Sequence, residues 1–322
     1  MSKSSSAKKR SAAAPKSVAK QRSRAPKPRT FADELATGTF LDELPMGTFG
    51  EEAYDEAIAR AGYAGSRSPR QLLTVVFRLT MTQPASFQSL AGSPSSAPRT
   101  DHITLHGVDR FYAAGKKLRG VVRRVISEAL RDQNVCHDRE TRHGRPQCGK
   151  CFVCRVFGHM MVGANSRVTF SDLISDQEYR PVVYGSINTT SGNPFIRKLD
   201  MVPPFTTFWG LFELRYPTKV EVATLLAALS IAGTRGIGAQ TTNYGRFRAD
   251  IVGILGGYIL NLGGVMPLVE TAAKGLEPDD ALKAVIAQLP YEPPALIGEK
   301  AREAAFKIQA LSPLSPLYGE TF

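Results

Sequence analysis

All four cysteines of this chain fall within one window of nineteen residues, at Cys136, Cys148, Cys151 and Cys154. Sulfurs three positions apart can face one tetrahedral cation across a tight turn, and four thiolates around zinc form a closed structural site. His137 and His143 lie in the same window and could replace one sulfur, most easily that of Cys136. We therefore predict a structural zinc, because four sulfur ligands leave no position open for a catalytic water.

Two other uses of the cysteines were weighed against zinc. Four unrelated thiols are improbable at this density, and a disulfide is disfavoured because we find no signal peptide and cytosolic thiols stay reduced. We expect a zinc-finger insertion over residues 134–157 of a cytoplasmic protein. No apolar run approaches the ~18 residues of a membrane span, so no membrane partner is expected.

Positive charge is concentrated in two zones of the chain. Residues 1–30 hold ten Lys or Arg and no acidic residue, and residues 115–167 hold twelve basic and four acidic residues. The net charge of the whole chain is +12, so the remainder is mildly acidic. A solvated charged face explains mixed charges better than it explains this segregation, which indicates a polyanionic partner.

The chain divides into four parts. Residues 1–30 have no apolar periodicity and are predicted to be a disordered basic tail. Residues 31–71 are acidic and are expected to pack on the core. The core occupies residues 72–255, and residues 256–322 are predicted to be mostly helical, with helices starting at Pro278 and around residue 298.

Hydrophobic patterning over the core predicts strand, helix, strand, strand, helix and strand at residues 72–81, 117–132, 166–174, 206–216, 220–232 and 246–255. This order is that of an α+β, ferredoxin-like or RRM-type βαββαβ palm. Thr218 and Glu221 form a capping box for the second helix, and Gly233 is predicted to be its left-handed C-cap.

Two glycine-bearing basic segments are candidates for nucleic-acid binding. In residues 114–120, a glycine turn is followed directly by the start of a helix, where Lys116 and Lys117 lie. This arrangement offers backbone N–H groups and positive charge to a phosphate. Gly120, in the predicted first turn, lowers helix stability by about 1 kcal/mol relative to Ala. A glycine at this position is explained if backbone or nucleic acid approaches closely there.

The second segment, residues 233–248, interleaves four glycines with side chains that suit phosphate and base contacts. The candidates are Arg235, Gln240, Tyr244, Arg246 and Arg248. The alternative interpretation is a flexible loop with chance arginines.

Three stretches in order carry a resemblance to a known family. Residues 113–126 (AAGKKLRGVVRRVI) look like a glycine-bearing helix start, residues 154–158 (CRVFG) like a hydrophobic-Phe-Gly element before the strand at 166–172, and residues 234–251 like a C-terminal glycine-rich loop and strand. The chain thus resembles the RAMP superfamily and its CRISPR effector-complex backbone subunits. It looks most like the type I-D backbone protein, with type III and type IV relatives as alternatives.

The resemblance implies a hand-shaped protein that binds a CRISPR RNA, oligomerises with copies of itself and other effector-complex subunits, and presents the spacer for pairing with a target nucleic acid. Residues 175–205 would form a thumb hairpin. The phosphates would be met by Arg119, Arg123, Arg124, Arg235 and Arg246. Recognition would use backbone and shape, because one protein has to accept any spacer.

Two alternative functions follow from the same residues. In type III relatives a loop aspartate cleaves target RNA with a divalent ion, and Asp101 lies roughly where that residue would be; a lone loop aspartate is more often a turn or cap residue. We expect a non-catalytic subunit and keep the metal-dependent endoribonuclease as one alternative. The other is a zinc-ribbon adaptor that binds a protein partner and touches nucleic acid only through residues 1–30.

Overall fold

A computed structural model describes residues 72–87, 100–131, 151–158, 166–188, 195–215, 217, 219–238, 241, 243–256, 264–289, 293, 295–310 and 312–314. The predicted basic tail and acidic segment, residues 1–71, lie outside the described residues.

The described strands form one large and one small sheet. The large sheet contains β1 (Leu72–Met81), β2 (His102–Leu105), β3 (Val108–Ala113), β4 (Val168–Phe170), β5 (Leu173–Glu178), β8 (Thr207–Arg215), β9 (Phe247–Gly256) and β10 (Ala295–Ile297). The small sheet is a hairpin of β6 (Val182–Asn188) and β7 (Phe195–Met201). The helices are α1 (Gly115–Ala129), α2 (Phe152–Phe157), α3 (Lys219–Arg235), α4 (Met266–Ala272), α5 (Pro278–Ile286) and α6 (Glu299–Gln309).

Strand β1 is central to the large sheet, whose order is β10-β9-β1-β8-β5-β3-β2, with β4 also paired to β8. Its sequence, LLTVVFRLTM, is apolar on both faces, and Val75 and Val76 are both fully buried. All pairings between described strands are antiparallel. The predicted α+β class is therefore confirmed.

Helices cover both faces of this sheet. Apolar side chains of α1, α3 and α6 form a core on one face, and those of α4 and α5 form a second core on the other. Trp209, on the second face, is fully buried. An RRM stacks RNA bases on an open sheet face. Here α4 and α5 pack on that face, so it does not offer an open platform of this kind.

The second predicted helix is longer than its end signals indicated. It forms α3 and continues through Gly233 to Arg235, so the assignment of Gly233 as C-cap is wrong, and Gly236 takes the left-handed conformation with φ 79°. A Cβ on Gly233 would lie 2.2 Å from the Phe247 carbonyl oxygen. Glycine is thus needed there because the helix touches the start of β9. Thr218 lies outside the described residues, whereas the buried Glu221 carboxylate accepts bonds of 2.8 and 2.6 Å from Arg167.

Several short strands were not predicted from the hydrophobic pattern alone. The predicted strand at 166–174 is split into β4 and β5, and residues 175–205 contain the end of β5 and the β6–β7 hairpin. Strands β2 and β3 form another hairpin, whose turn at His106 and Gly107 has φ values of 49° and 79°. The helices predicted near Pro278 and residue 298 are confirmed as α5 and α6.

The two helical glycines give a matched stability test. We expect Gly233→Ala to lower the free energy of unfolding by about 1–3 kcal/mol, because the new methyl group overlaps the β9 backbone. Gly120→Ala should raise it by about 1 kcal/mol, because nothing lies within 4 Å of the added Cβ and alanine favours the helix. Urea unfolding of both variants measures the difference, and equal effects would contradict the packing described here.

Candidate nucleic-acid interface

The start of α1 is held by an aspartate from a distant part of the chain. The Gly115 N–H donates to Asp172 Oδ1 over 2.8 Å, and the Tyr112 hydroxyl donates to Asp172 Oδ2 over 2.9 Å. A Cβ on Gly115 would lie 2.2 Å from the Ser171 carbonyl oxygen. The expectation that this turn offers its N–H groups to a phosphate is therefore wrong for Gly115, whose N–H is bound within the protein.

Asp101 lies beside the same helix start. Its carboxylate is 3.7 Å from the Lys117 ammonium, and both side chains are largely buried. Its backbone N–H donates to the Phe87 carbonyl, and its carbonyl accepts from Tyr112. Burial, the Asp172 hydrogen bond and the nearby Asp172 and Asp101 charges together raise the pKa of Tyr112 to about 12. These contacts show that Asp101 has a structural role at the helix start. Its catalytic role stays a prediction.

The basic side chains of α1 differ in direction. Arg119 turns inward, where its guanidinium donates to the Phe157 carbonyl over 2.5 Å and lies 5.8 Å from the Phe157 ring centroid. Burial, followed by the charge of Arg123, lowers the pKa of Arg119. Lys116 and Arg124 are exposed, and Arg124 Nε donates to the Gly120 carbonyl over 3.3 Å. Arg119 therefore fixes α2 to α1, whereas Arg124 presents its charge to solvent beside the open space over Gly120.

The glycine-rich segment has a folded base. The Ile237 N–H donates to the Gly245 carbonyl, and the Gly245 N–H donates to the Pro84 carbonyl, each over 2.8 Å. Gly236, Gly238 and Gly245 have φ values of 79°, 102° and 82°, which side-chain-bearing residues rarely adopt. The glycines thus close the base of the loop against the segment that follows β1. Gln240 lies outside the described residues.

The β6–β7 hairpin meets this loop. The rings of Tyr184, on β6, and Tyr244 have centroids 6.2 Å apart and planes at 60°. At the base of the hairpin, Ala85 and Val202 exchange backbone hydrogen bonds of 3.1 and 2.7 Å. The fold thus brings together the predicted thumb segment and the predicted glycine-rich segment. Tyr184 was missed as a candidate. The only sequence signal for it was an aromatic residue within the short strand-like stretch VVYGSIN.

The arginines of the glycine-rich segment differ in their surroundings. The Arg246 carbonyl accepts from the Thr82 N–H over 2.9 Å, which places Arg246 beside the end of β1 with its side chain exposed. Arg248 is also exposed and lies 3.2 Å from Asp250. Arg235 pairs with Glu128 near the end of α1, so the second basic segment contacts that end of the helix. Arg119 is directed toward α2 instead.

Two of the four predicted zinc ligands are among the described residues. Cys151 is the N-cap of α2 and is half-buried, whereas Cys154 lies in the first turn of the helix and is buried. N-cap and third helical positions lie on one face of a helix start, which suits two ligands of one ion. Cys136, Cys148, His137 and His143 lie outside the described residues. Among the residues that are described, no group of three or more metal-ligating side chains occurs.

The Tyr112 phenol offers a titration test of the helix start. Its pKa is raised in the folded protein from 10.0 to about 12, so the stabilisation from its protonated form is full below pH 10 and is lost as pH rises toward 12. We expect the difference between the ultraviolet titration curves of wild type and Tyr112→Phe to show one phenol that ionises near pH 12. Asp172→Asn should lower its midpoint, and an unchanged midpoint would contradict the contact with Asp172.

Comparison with known proteins gave a family match and structural similarities. A family model described as Csc2 Crispr matches residues 104–262. No curated protein matched the chain. Among the described residues, no helix has the length and apolar character needed to cross a membrane.

Three solved structures illustrate the similarities. Thermofilum pendens Csc2 is 18% identical, with coverage of 75% of this chain and 81% of that chain and a TM-score of 0.46. A chain of the type III-B Cmr-beta complex bound to cognate target RNA is 15% identical, with coverage of 62% and 64% and a TM-score of 0.40. A chain of a type IV-B CRISPR complex is 16% identical, with coverage of 55% and 90% and a TM-score of 0.39.

The family match lies almost wholly in the core and covers α1, the predicted insertion, both strands of the β6–β7 hairpin and the glycine-rich segment. The three stretches on which the resemblance to the RAMP superfamily was based all lie within this match. Residues 104–262 thus match the Csc2 CRISPR family model, and the predicted resemblance to a RAMP-type CRISPR effector-complex backbone subunit is confirmed.

Proposed function

We propose that this backbone subunit of a ribonucleoprotein surveillance complex holds CRISPR RNA on the surface formed by the β6–β7 hairpin, the glycine-rich loop and the exposed arginines beside the end of β1. The contact between Tyr184 and Tyr244 carries the proposal, because it joins hairpin and loop into one surface. The family match over residues 104–262 supports it. The proposal includes a cytoplasmic location in a prokaryotic cell.

The chemistry of this surface suits RNA of any sequence. Arg246 and Arg248 offer charge to phosphates, and the two tyrosines offer rings to bases. Phosphate contacts and base stacking carry little sequence information, which is what a guide-binding protein requires. Arg124, beside the open space over Gly120, is a candidate for a further phosphate contact.

The finer architecture belongs to the same proposal. Four strands stand in the order β9-β1-β8-β4, with α1 following β1 along the chain and α3 following β8. This order supports a ferredoxin-like palm, with the β6–β7 hairpin as its thumb. Copies of the subunit would lie side by side along the guide, each thumb separating bases of the spacer that the complex presents to a target nucleic acid.

We also propose that zinc holds the insertion against α1. Cys151 and Cys154 stand at the start of α2, and Arg119 binds the carbonyl at its end. Zinc bound to these two thiolates and to Cys136 and Cys148, or to His137 or His143 in place of one sulfur, would supply folding energy and no chemistry.

The zinc proposal predicts one zinc ion per chain by elemental mass spectrometry. Cys151→Ser should release it and lower the melting temperature, and a strong chelator should lower the melting temperature of wild type but not of the variant. Cys151 is the better site to change, because Cys154 is buried and its replacement by serine destabilises even without metal. A metal-free wild type with unchanged stability would contradict the proposal.

The RNA proposal predicts a change in salt dependence. Replacing Arg246 and Arg248 together by alanine should weaken binding of single-stranded RNA of any sequence. It should also reduce the slope of log affinity against log salt by about 0.7 for each lost phosphate contact. Fluorescence anisotropy over a salt series measures both quantities.

The matched control replaces two exposed cations of α6, Arg302 and Lys307, by alanine. This variant should keep the wild-type slope. Equal slopes for both double variants would contradict the proposed surface. Loss of all RNA affinity on deletion of residues 1–30 would instead support the adaptor hypothesis, in which only the tail binds RNA.

A further inference from the structure

Phe205 is an exposed aromatic residue in a strained conformation. It lies in the short connection from β7 to β8, its side chain is 77% exposed, and its φ is 65°. A bulky residue with positive φ is an outlier, because its Cβ crowds the backbone. The fold therefore keeps an apolar ring in water at a position where glycine or asparagine would be easier to accommodate.

The backbone around Phe205 is held in place by its neighbours. The Phe205 N–H donates to the Met81 carbonyl over 2.7 Å, at the end of β1. The Gln177 side-chain amide donates to the Phe205 carbonyl over 3.5 Å, from the end of β5. The Thr206 hydroxyl donates to the Pro203 carbonyl over 2.9 Å. None of these bonds involves the Phe205 ring, so the hydrogen bonding of the turn does not require an aromatic side chain.

Arginines lie on both sides of the turn that carries this ring. The end of β1 separates Phe205 from Arg246, because Met81 accepts from Phe205 and Thr82 donates to Arg246. Two strand spacings make roughly 10 Å, which two or three nucleotides span. On the other side, Arg180 is exposed, pairs with Glu178 over 2.5 Å and lines a depression of about 360 Å³ together with Glu178, Gln177 and Pro203.

We propose that Phe205 stacks on a base of the RNA strand whose phosphates meet the arginines at this end of the sheet. The inference rests on the proposed function and adds a base-stacking subsite to it. Stacking on an aromatic ring tolerates every base, so it suits a variable guide. The strained backbone is consistent with this role, because such outliers cluster at ligand-binding positions.

The test replaces Phe205 by glycine in the full chain. Glycine relieves the positive φ, so the melting temperature should stay the same or rise. Affinity for a fluorescein-labelled single-stranded RNA of mixed sequence should fall about 5- to 150-fold. Phe205→Trp should keep wild-type affinity. Phe306→Ala removes another exposed ring, 71% exposed on α6, and should leave RNA affinity unchanged.

An abasic RNA strand of equal length separates stacking from charge. Wild type and Phe205→Gly should bind it equally, because it has phosphates and no bases. Equal affinity of the two proteins for normal RNA would overturn the inference while leaving the proposed function intact, provided that the arginine variant still loses affinity.

Three other outcomes would also overturn the inference. A lower melting temperature of the glycine variant would show that the ring supports the fold. Loss of self-association without RNA would show that the ring contacts a second copy of the chain. Failure of the wild-type protein to bind RNA at all would contradict both the inference and the proposed function.

Discussion

The end of strand β1 is the constraint on which the rest of the site depends. β1 is buried on both faces and paired along both edges, so its last residues have a fixed position. Met81 accepts from Phe205 on one side, and Thr82 donates to Arg246 on the other. Two chain segments about 40 residues apart in sequence are thereby held at a set spacing, and the segment after β1 closes the base of the glycine-rich loop.

Helices pack on both faces of the sheet, which is why the proposed RNA surface lies at the end of the sheet. The core formed with α4 and α5 covers the face that an RRM leaves open, and it buries Trp209. Side chains at the end of the sheet stay exposed to solvent, and Phe205, Arg246 and Arg248 are among them. A protein that binds RNA there can stack individual bases without presenting a sheet-wide platform.

The long elements were predictable from the sequence because their patterns are strong. β1, β8 and β9 are apolar runs, and α1 and α3 have helical periodicity. The β2–β3 hairpin was not predictable, because β2 is half exposed and has only four residues, and the β6–β7 hairpin was expected only through the resemblance.

The site was predictable by segment but not by side chain. Charge spacing on α1 cannot tell that Arg119 turns inward to α2 whereas Arg124 stays in solvent. The cap on α1 comes from Asp172, 57 residues later in the chain, and Gly233 is required by contact with a strand that forms after it. Such contacts depend on tertiary packing, which local patterns do not contain.

The central claim is that the RNA lies on the surface formed by the β6–β7 hairpin and the glycine-rich loop. Ultraviolet crosslinking of the ribonucleoprotein purified from its host, followed by mass spectrometry of the crosslinked peptides, tests this directly. The account predicts crosslinks to the peptides that carry Tyr184 and Tyr244. Crosslinks confined to residues 1–71 would contradict it.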